Sequence, residues 1–325
     1  MKTKDKIIEI LRAQGRLGPS ELAIKLQISR QYIHRLLNEL EHENRVERTG
    51  ITPQVYYSIQ TNQNINQKTI ISFEDEKFLN EHFLLINPKG KLLKGFDAMA
   101  YWCEKQHLPI EKTIHEYIIT RKKYLSYFNA DAIIDGMTKL RSTKGFETIA
   151  LDAIYYLDFY AIERFGKTGL GMLLHYAKQG QNKTLMKMIV SQVHHRINHL
   201  IANQKISAIL FVPPSIPRKI QIMDYLRKNL NIDRPEIKIM KLKTDIIVPQ
   251  KALSKMFERI ANARNSFIIK KQAKTEHLLI IDDAVGSGAT MNEIAIKIKQ
   301  LQIAHKITGL AITGSFKGFD VISEI

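Results

Sequence analysis

The period of apolar positions changes along this chain, and each change marks a new part. Near the start the period is helical. Ile7, Ile8, Ile10 and Leu11 predict a helix over about residues 4–13, broken by the glycines of 14–18. Pro19 and Ser20 open a second helix carrying Leu22, Ile24 and Leu26. Ser29 is placed to cap a third, in which Ile33, Leu36, Leu37 and Leu40 face inward. The period then falls to two. Residues 45–48 and 55–59 read as paired strands around a tip at 49–54. Residues 61–69 are polar and Asn/Gln-rich, which predicts a linker.

Residues 70–170 give a coarser reading of a mainly helical middle domain, with helices around 96–106, 110–126 and 149–165. Their many aromatics, among them Trp102, Tyr117, Tyr124, Tyr156 and Phe159, recur at helical spacings and predict core rather than a base-stacking surface. Gly166-Lys167-Thr168-Gly169 lacks the glycine spacing of a phosphate loop, and the residues before it read as helix. A long helix over 182–204 carries His195 and His199 at i,i+4 spacing. With no third ligand in view, they read as solvated or packed histidines and no zinc is expected. From residue 206 strands and helices alternate: strand 206–212, helix 220–229, strand 236–242, strand 278–281, a helix from Thr290 and strand 306–313.

The chemistry concentrates where strand 278–281 ends, in Asp282-Asp283-Ala284-Val285-Gly286-Ser287-Gly288-Ala289-Thr290. A small-residue loop between a buried strand and a helix N-terminus aims backbone N–H groups at an anion, and the helix dipole adds to the attraction. Gly286 and Gly288 permit close approach; Ser287 and Thr290 add hydroxyls; the two carboxylates can accept from vicinal sugar hydroxyls.

This stretch resembles the 5-phosphoribosyl-1-pyrophosphate (PRPP) loop of type I phosphoribosyltransferases. The resemblance makes Asp282 and Asp283 the ribose pair and residues 284–290 the 5′-phosphate loop, although many members carry Thr-Thr where this chain has Gly286-Ser287. It places pyrophosphate on the loop after the first strand, at Pro214, Ser215, Arg218 and Lys219. Residues 248–267 resemble the mobile active-site loop of the ComF (competence protein F) branch, with Lys251, Lys255, Arg259 and Arg264 as cations that could close over leaving pyrophosphate. Solvated positions on an amphipathic helix are the plain alternative for each. Mg²⁺ is implied with PRPP, with no metal held by protein side chains alone.

Composition narrows the partners. A chain of 325 residues predicts two or three domains, and 44% hydrophobic residues suffice for packed cores. No apolar run reaches membrane-span length, and the charged start lacks a signal-peptide core, so a cytoplasmic protein is expected. Cys103 is the only cysteine, which leaves no room for the cysteine-rich zinc module common in the ComF branch. The net charge of +17 points to nucleic acid, nucleotide or phosphate, or to a Lys-rich solvated surface.

Residues 1–60 resemble a winged helix-turn-helix. The third helix leaves Arg30, Gln31, Tyr32, His34 and Arg35 on or near its outer face behind Ser29, and Arg48 lies near the wing. Recognition helices present their N-terminal residues to the major groove in this way. The expected whole is multidomain, α+β and α/β: a winged helix at 1–60, the linker, the helical middle, and a Rossmann-like phosphoribosyltransferase domain with a parallel sheet at 171–325. Its expected function is transcriptional regulation, as a homodimer on double-stranded DNA with PRPP or a nucleotide as effector. The fusion resembles purine-type repressors that keep a PRPP loop without catalysis. The alternatives are an active phosphoribosyltransferase acting on a nitrogen nucleophile and a ComF-like accessory of DNA uptake.

Overall fold

The computed structural model describes residues 3–43, 45–60, 71–242, 252–270 and 272–315. The chain divides into two compact units. The first holds Met1–Ile70 with Pro88–Gly90, and the second holds Ile71–Asn87 and Lys91–Ile325. The expected linker lies outside the described residues.

In the first unit, α1 (Thr3–Gln14), α2 (Pro19–Leu26) and α3 (Arg30–His42) precede an antiparallel hairpin, β1 (Val46–Ile51) and β2 (Gln54–Ile59). Pro at the first position opens α2, and Ser29 Oγ accepts from Tyr32 N at 3.2 Å to cap α3. Ile7, Leu11, Leu22, Ile33, Leu37, Leu40, Val46 and Tyr57 form one closed core. Ile24, another apolar residue of α2, is 77% exposed. The eight-residue α2 turns Leu22 inward, and a residue two positions on points elsewhere on the helix.

The second unit opens with α4 (Phe73–His82), the hairpin β3 (Leu84–Ile86) and β4 (Leu92–Lys94), then α5 (Gly95–Gln106) and α6 (Ile110–Leu125). Short β5 (Ile134–Asp135) and α7 (Met137–Ser142) lead to β6 (Ala153–Phe159). Next come α8 (Gly169–Gln179), α9 (Lys183–Asn203), β7 (Ala208–Phe211) and α10 (Ile222–Asn229). The chain continues with β8 (Ile239–Lys241), α11 (Met256–Ser266), β9 (Phe267–Ile269), β10 (Thr275–Val285), α12 (Ala289–Gln300) and β11 (Ala304–Gly314). Five strands form one sheet in the order β5-β6-β11-β10-β7, parallel except at β5. Alternate residues of β10 feed opposite cores: Leu278 and Ile280 on one face, Leu279 and Ile281 on the other. A sheet covered on both faces accounts for that unbroken apolar run.

Two sequence expectations fail here. Residues 149–165 are not a helix, because 153–159 form β6 between β5 and β11. Ile154, Tyr155, Tyr156 and Phe159 are strand formers, and a short apolar run does not distinguish the two periods by itself. The boundary drawn at 170/171 therefore cuts one compact unit, and the middle region supplies β5 and β6 to the sheet. The second expected strand, 236–242, is also split. Ile237 N donates to Ile209 O at 2.8 Å beside β7, after which β8 leaves to pair with β9. Among the described residues no helix is long and apolar enough to cross a membrane.

Candidate functional site

Parallel strands place their carboxyl ends together, and open α/β sheets bind ligands there. Phe159 lies opposite Gly314, Gly314 opposite Val285, and Ile281 opposite Phe211. At this edge β10 runs into the loop 286–288, and α12 begins at Ala289. Gly288 holds φ at +84°, and a Cβ there would meet Leu140 Cδ1 at 2.6 Å, so α7 backs the loop closely. Asn292, fully buried one turn into α12, accepts from Ala150 N at 2.8 Å and donates to Thr148 O at 2.7 Å. These bonds fix the helix start against the segment before β6.

A hollow of about 90 Å³ lies in the loop. Asp282, residues 284–290 and Arg259 line it together with Met291. Of the nine residues expected at the sugar phosphate, only Asp283 is not on its wall. Strand alternation gives the reason, since neighbours on a strand point to opposite faces. Asp283 is buried and turns toward α8, where Lys178 Nζ lies 2.5 Å from its Oδ2. Burial first, then the Asp283 charge, pushes the Asp282 carboxyl up to about 8, while Lys178 opposes the shift. Tyr160 O–H and His175 Nδ1 lie 3.0 Å apart on the same side, and burial, helped by Asp283, raises the Tyr160 phenol. Behind the loop Lys139 donates to Ser315 O at 2.6 Å, and burial lowers its ammonium to about 8.

The four loop cations separate. Arg259 is buried at the hollow and donates from Nε to Leu253 O at 2.7 Å. Lys255 is the exposed residue before α11. Arg264 points away from the hollow, with Nε 3.1 Å from the buried Glu293 carboxylate. Lys251 lies outside the described residues. Pro214 and Ser215 are half-buried, Lys219 is exposed, and Arg218 donates to Gln179 Oε1 at 3.3 Å. None of these four lines the hollow, although Val212 N donates to Ile281 O and so starts their loop beside the acid pair.

No protein-family model matches this chain, and no curated protein matches it. Geometry therefore carries the functional reading.

Gly166-Lys167-Thr168-Gly169 follows a short 3-10 turn at Glu163–Phe165 and serves as a helix cap: Thr168 Oγ1 accepts from Gly171 N at 3.1 Å and donates to Phe159 O at 2.6 Å. His195 and His199 are exposed, and His199 Nδ1 sits 3.5 Å from Asp131. In the first unit, Arg30, Gln31 and Arg35 are exposed at the front of α3, with Tyr32 and His34 half-buried beside them. Arg35 stacks 4.9 Å from the Tyr32 ring centre and lies 3.8 Å from Glu39. Arg48 is exposed on β1, opposite Tyr57 of β2.

Sequence reasoning passed over Lys178, Lys139, Tyr160 and His175. Nothing local could have marked them, since each meets the site only through long-range packing.

Proposed function

We propose that the protein is a DNA-binding transcriptional regulator with a winged helix-turn-helix head, and that its Rossmann-like, phosphoribosyltransferase-like unit binds PRPP or a related nucleotide as effector. One observation carries the effector half: eight of the nine residues expected for a sugar phosphate line a single hollow with the Arg259 guanidinium. The loop supplies backbone N–H groups and the α12 dipole to a phosphate. Asp282 and Asp283 accept from ribose hydroxyls. They are also hard oxygen donors of the kind Mg²⁺ takes, and the ligand's phosphate oxygens and water would complete its shell.

The DNA half rests on the exposed Arg30, Gln31 and Arg35 at a capped helix start and on the net charge of +17. A homodimer on paired half-sites is the matching assembly. The buried Arg259 beside the loop favours a second reading, a transferase that stabilises departing pyrophosphate.

Fluorescence anisotropy of a labelled duplex from the gene's own upstream region separates the two. Salt is held fixed because interactions with DNA phosphates make affinity strongly salt-dependent. The expected result is specific binding that shifts when PRPP and Mg²⁺ are added. Absence of specific binding in both conditions, with pyrophosphate released in the presence of a nucleobase, would replace the regulator by the enzyme.

A further inference from the structure

We propose that Lys178 is a pyrophosphate-binding residue of the ligand site, supplied by α8 and lying outside every loop of the motif. The inference rests on the PRPP reading of residues 282–290. The last turn of α8 and the residues after it join the two halves of that site. Lys178 Nζ reaches Asp283 Oδ2 at 2.5 Å, Gln179 Oε1 accepts from Arg218 at 3.3 Å, and Gln181 Oε1 accepts from Ile220 N at 2.8 Å. Phe211 and Ile281 lie opposite one another on adjacent parallel strands, so the loop over 212–219 leaves the sheet next to Asp283. The Lys178 ammonium thus sits against the second acid, one residue from the glutamine that holds Arg218 of the β7 loop.

Charge and donor count favour the same role. Among the described residues Lys178 is the one cation within ion-pair distance of either acid, and Asp283 is its one partner. An ammonium has three N–H donors, so two remain for ligand oxygens. Of the cations expected on the β7 loop, Arg218 is turned to Gln179 and Lys219 is exposed. A lysine is a point charge on a flexible stem and can pass from a carboxylate to a neighbouring phosphate oxygen without moving its helix. Asp283 holds the ammonium in place. A ligand whose ribose hydroxyls engage Asp283 would free the ammonium for its pyrophosphate.

Titration calorimetry on the full chain, with Mg²⁺ present, tests this against a purely structural role. The ligands are PRPP, ribose 5-phosphate and inorganic pyrophosphate; the proteins are the parent, Lys178→Met, Lys178→Gln and Lys178→Arg. Met and Gln together guard against one variant misfolding. The expected loss on PRPP is about tenfold to hundredfold for Met and Gln, the equivalent of one charged hydrogen bond. Pyrophosphate should weaken in parallel, ribose 5-phosphate should lose much less than PRPP because it carries no pyrophosphate for the ammonium to meet, and Arg should restore most of the PRPP affinity. Equal losses on PRPP and ribose 5-phosphate would reduce Lys178 to a prop for Asp283 and overturn the proposal. Unchanged or tighter PRPP binding would overturn it as well. A parent that binds neither sugar phosphate would remove the PRPP reading itself, and the role of Lys178 with it.

Discussion

Burial and the Asp283 charge push the Asp282 carboxyl up to about 8, against the pull of Lys178. Between its ordinary carboxylate range and that value, the folded protein holds a proton that the unfolded chain has released. Stability therefore falls as pH rises through this window, and the whole loss is present above it. Asp282→Asn removes the titration. Urea unfolding between about pH 5 and pH 8 should show the parent losing on the order of 2–4 kcal/mol relative to the variant. Parallel profiles would place the titrating group elsewhere. The same substitution combined with Asp283→Asn should abolish PRPP binding while the fold persists. A second buried charge is matched differently: Arg121 donates from both terminal nitrogens to Asp158 at 3.0 Å inside the core. The loop geometry at 282–290 was legible in the sequence because a strand-to-helix turn of small residues is a local object. The partners of its carboxylates were not, since Lys178 and Arg259 arrive from other elements.

At the scale of elements, α3 was the most legible. Its cap, its inward face and its basic front all follow from one stretch of sequence with a helical period. The front predicts a measurable effect. Arg30→Ala with Arg35→Ala should weaken specific DNA binding by ~1–3 kcal/mol for each bidentate hydrogen-bonded pair removed from a base edge. The fold should hold, because Arg30 is exposed and the Arg35–Glu39 pair lies on the surface, where such pairs contribute little. Anisotropy indistinguishable from the parent would move the DNA-reading surface off this helix. β6 was the least legible element. Its aromatics fit either period over so short a run, and pairing with β11 on one side and β5 on the other decides for the strand. Residues 248–267 read as a mobile loop over the site, with an amphipathic helix as the alternative, and the described part from Met256 to Ser266 is the helix α11. Packing sorts its cations, with Arg259 at the hollow and Arg264 on Glu293.

For the whole molecule the sheet defines what can fold alone. A fragment of residues 171–325 lacks β5 and β6, so β11 loses its neighbour and the apolar side chains of Ile154 and Leu157 leave the two cores. Such a fragment should fail to give a cooperative urea transition, whereas residues 71–325 should unfold cooperatively and retain PRPP binding. Cooperative folding of the shorter piece would restore the boundary that the linear pattern suggested. The proposed regulation would likewise be a property of the whole. If PRPP changes DNA affinity by some factor, DNA changes PRPP affinity by the same factor, whichever half is titrated.

The sequence by itself determined the helix caps and faces of the first unit, the buried strand before Asp282, and the Gly/Ser loop opening α12. Each depends on the dihedral preferences and period of a few consecutive residues. Tertiary structure decided that 153–159 is a strand, that Asp282 and Asp283 serve opposite faces of the sheet, and that Arg259 alone of the described loop cations reaches the hollow. Lys178 belongs to the same class. Its charge meets Asp283 because α8 packs against the sheet, and no short-range pattern encodes which distant carboxylate a helix end will meet.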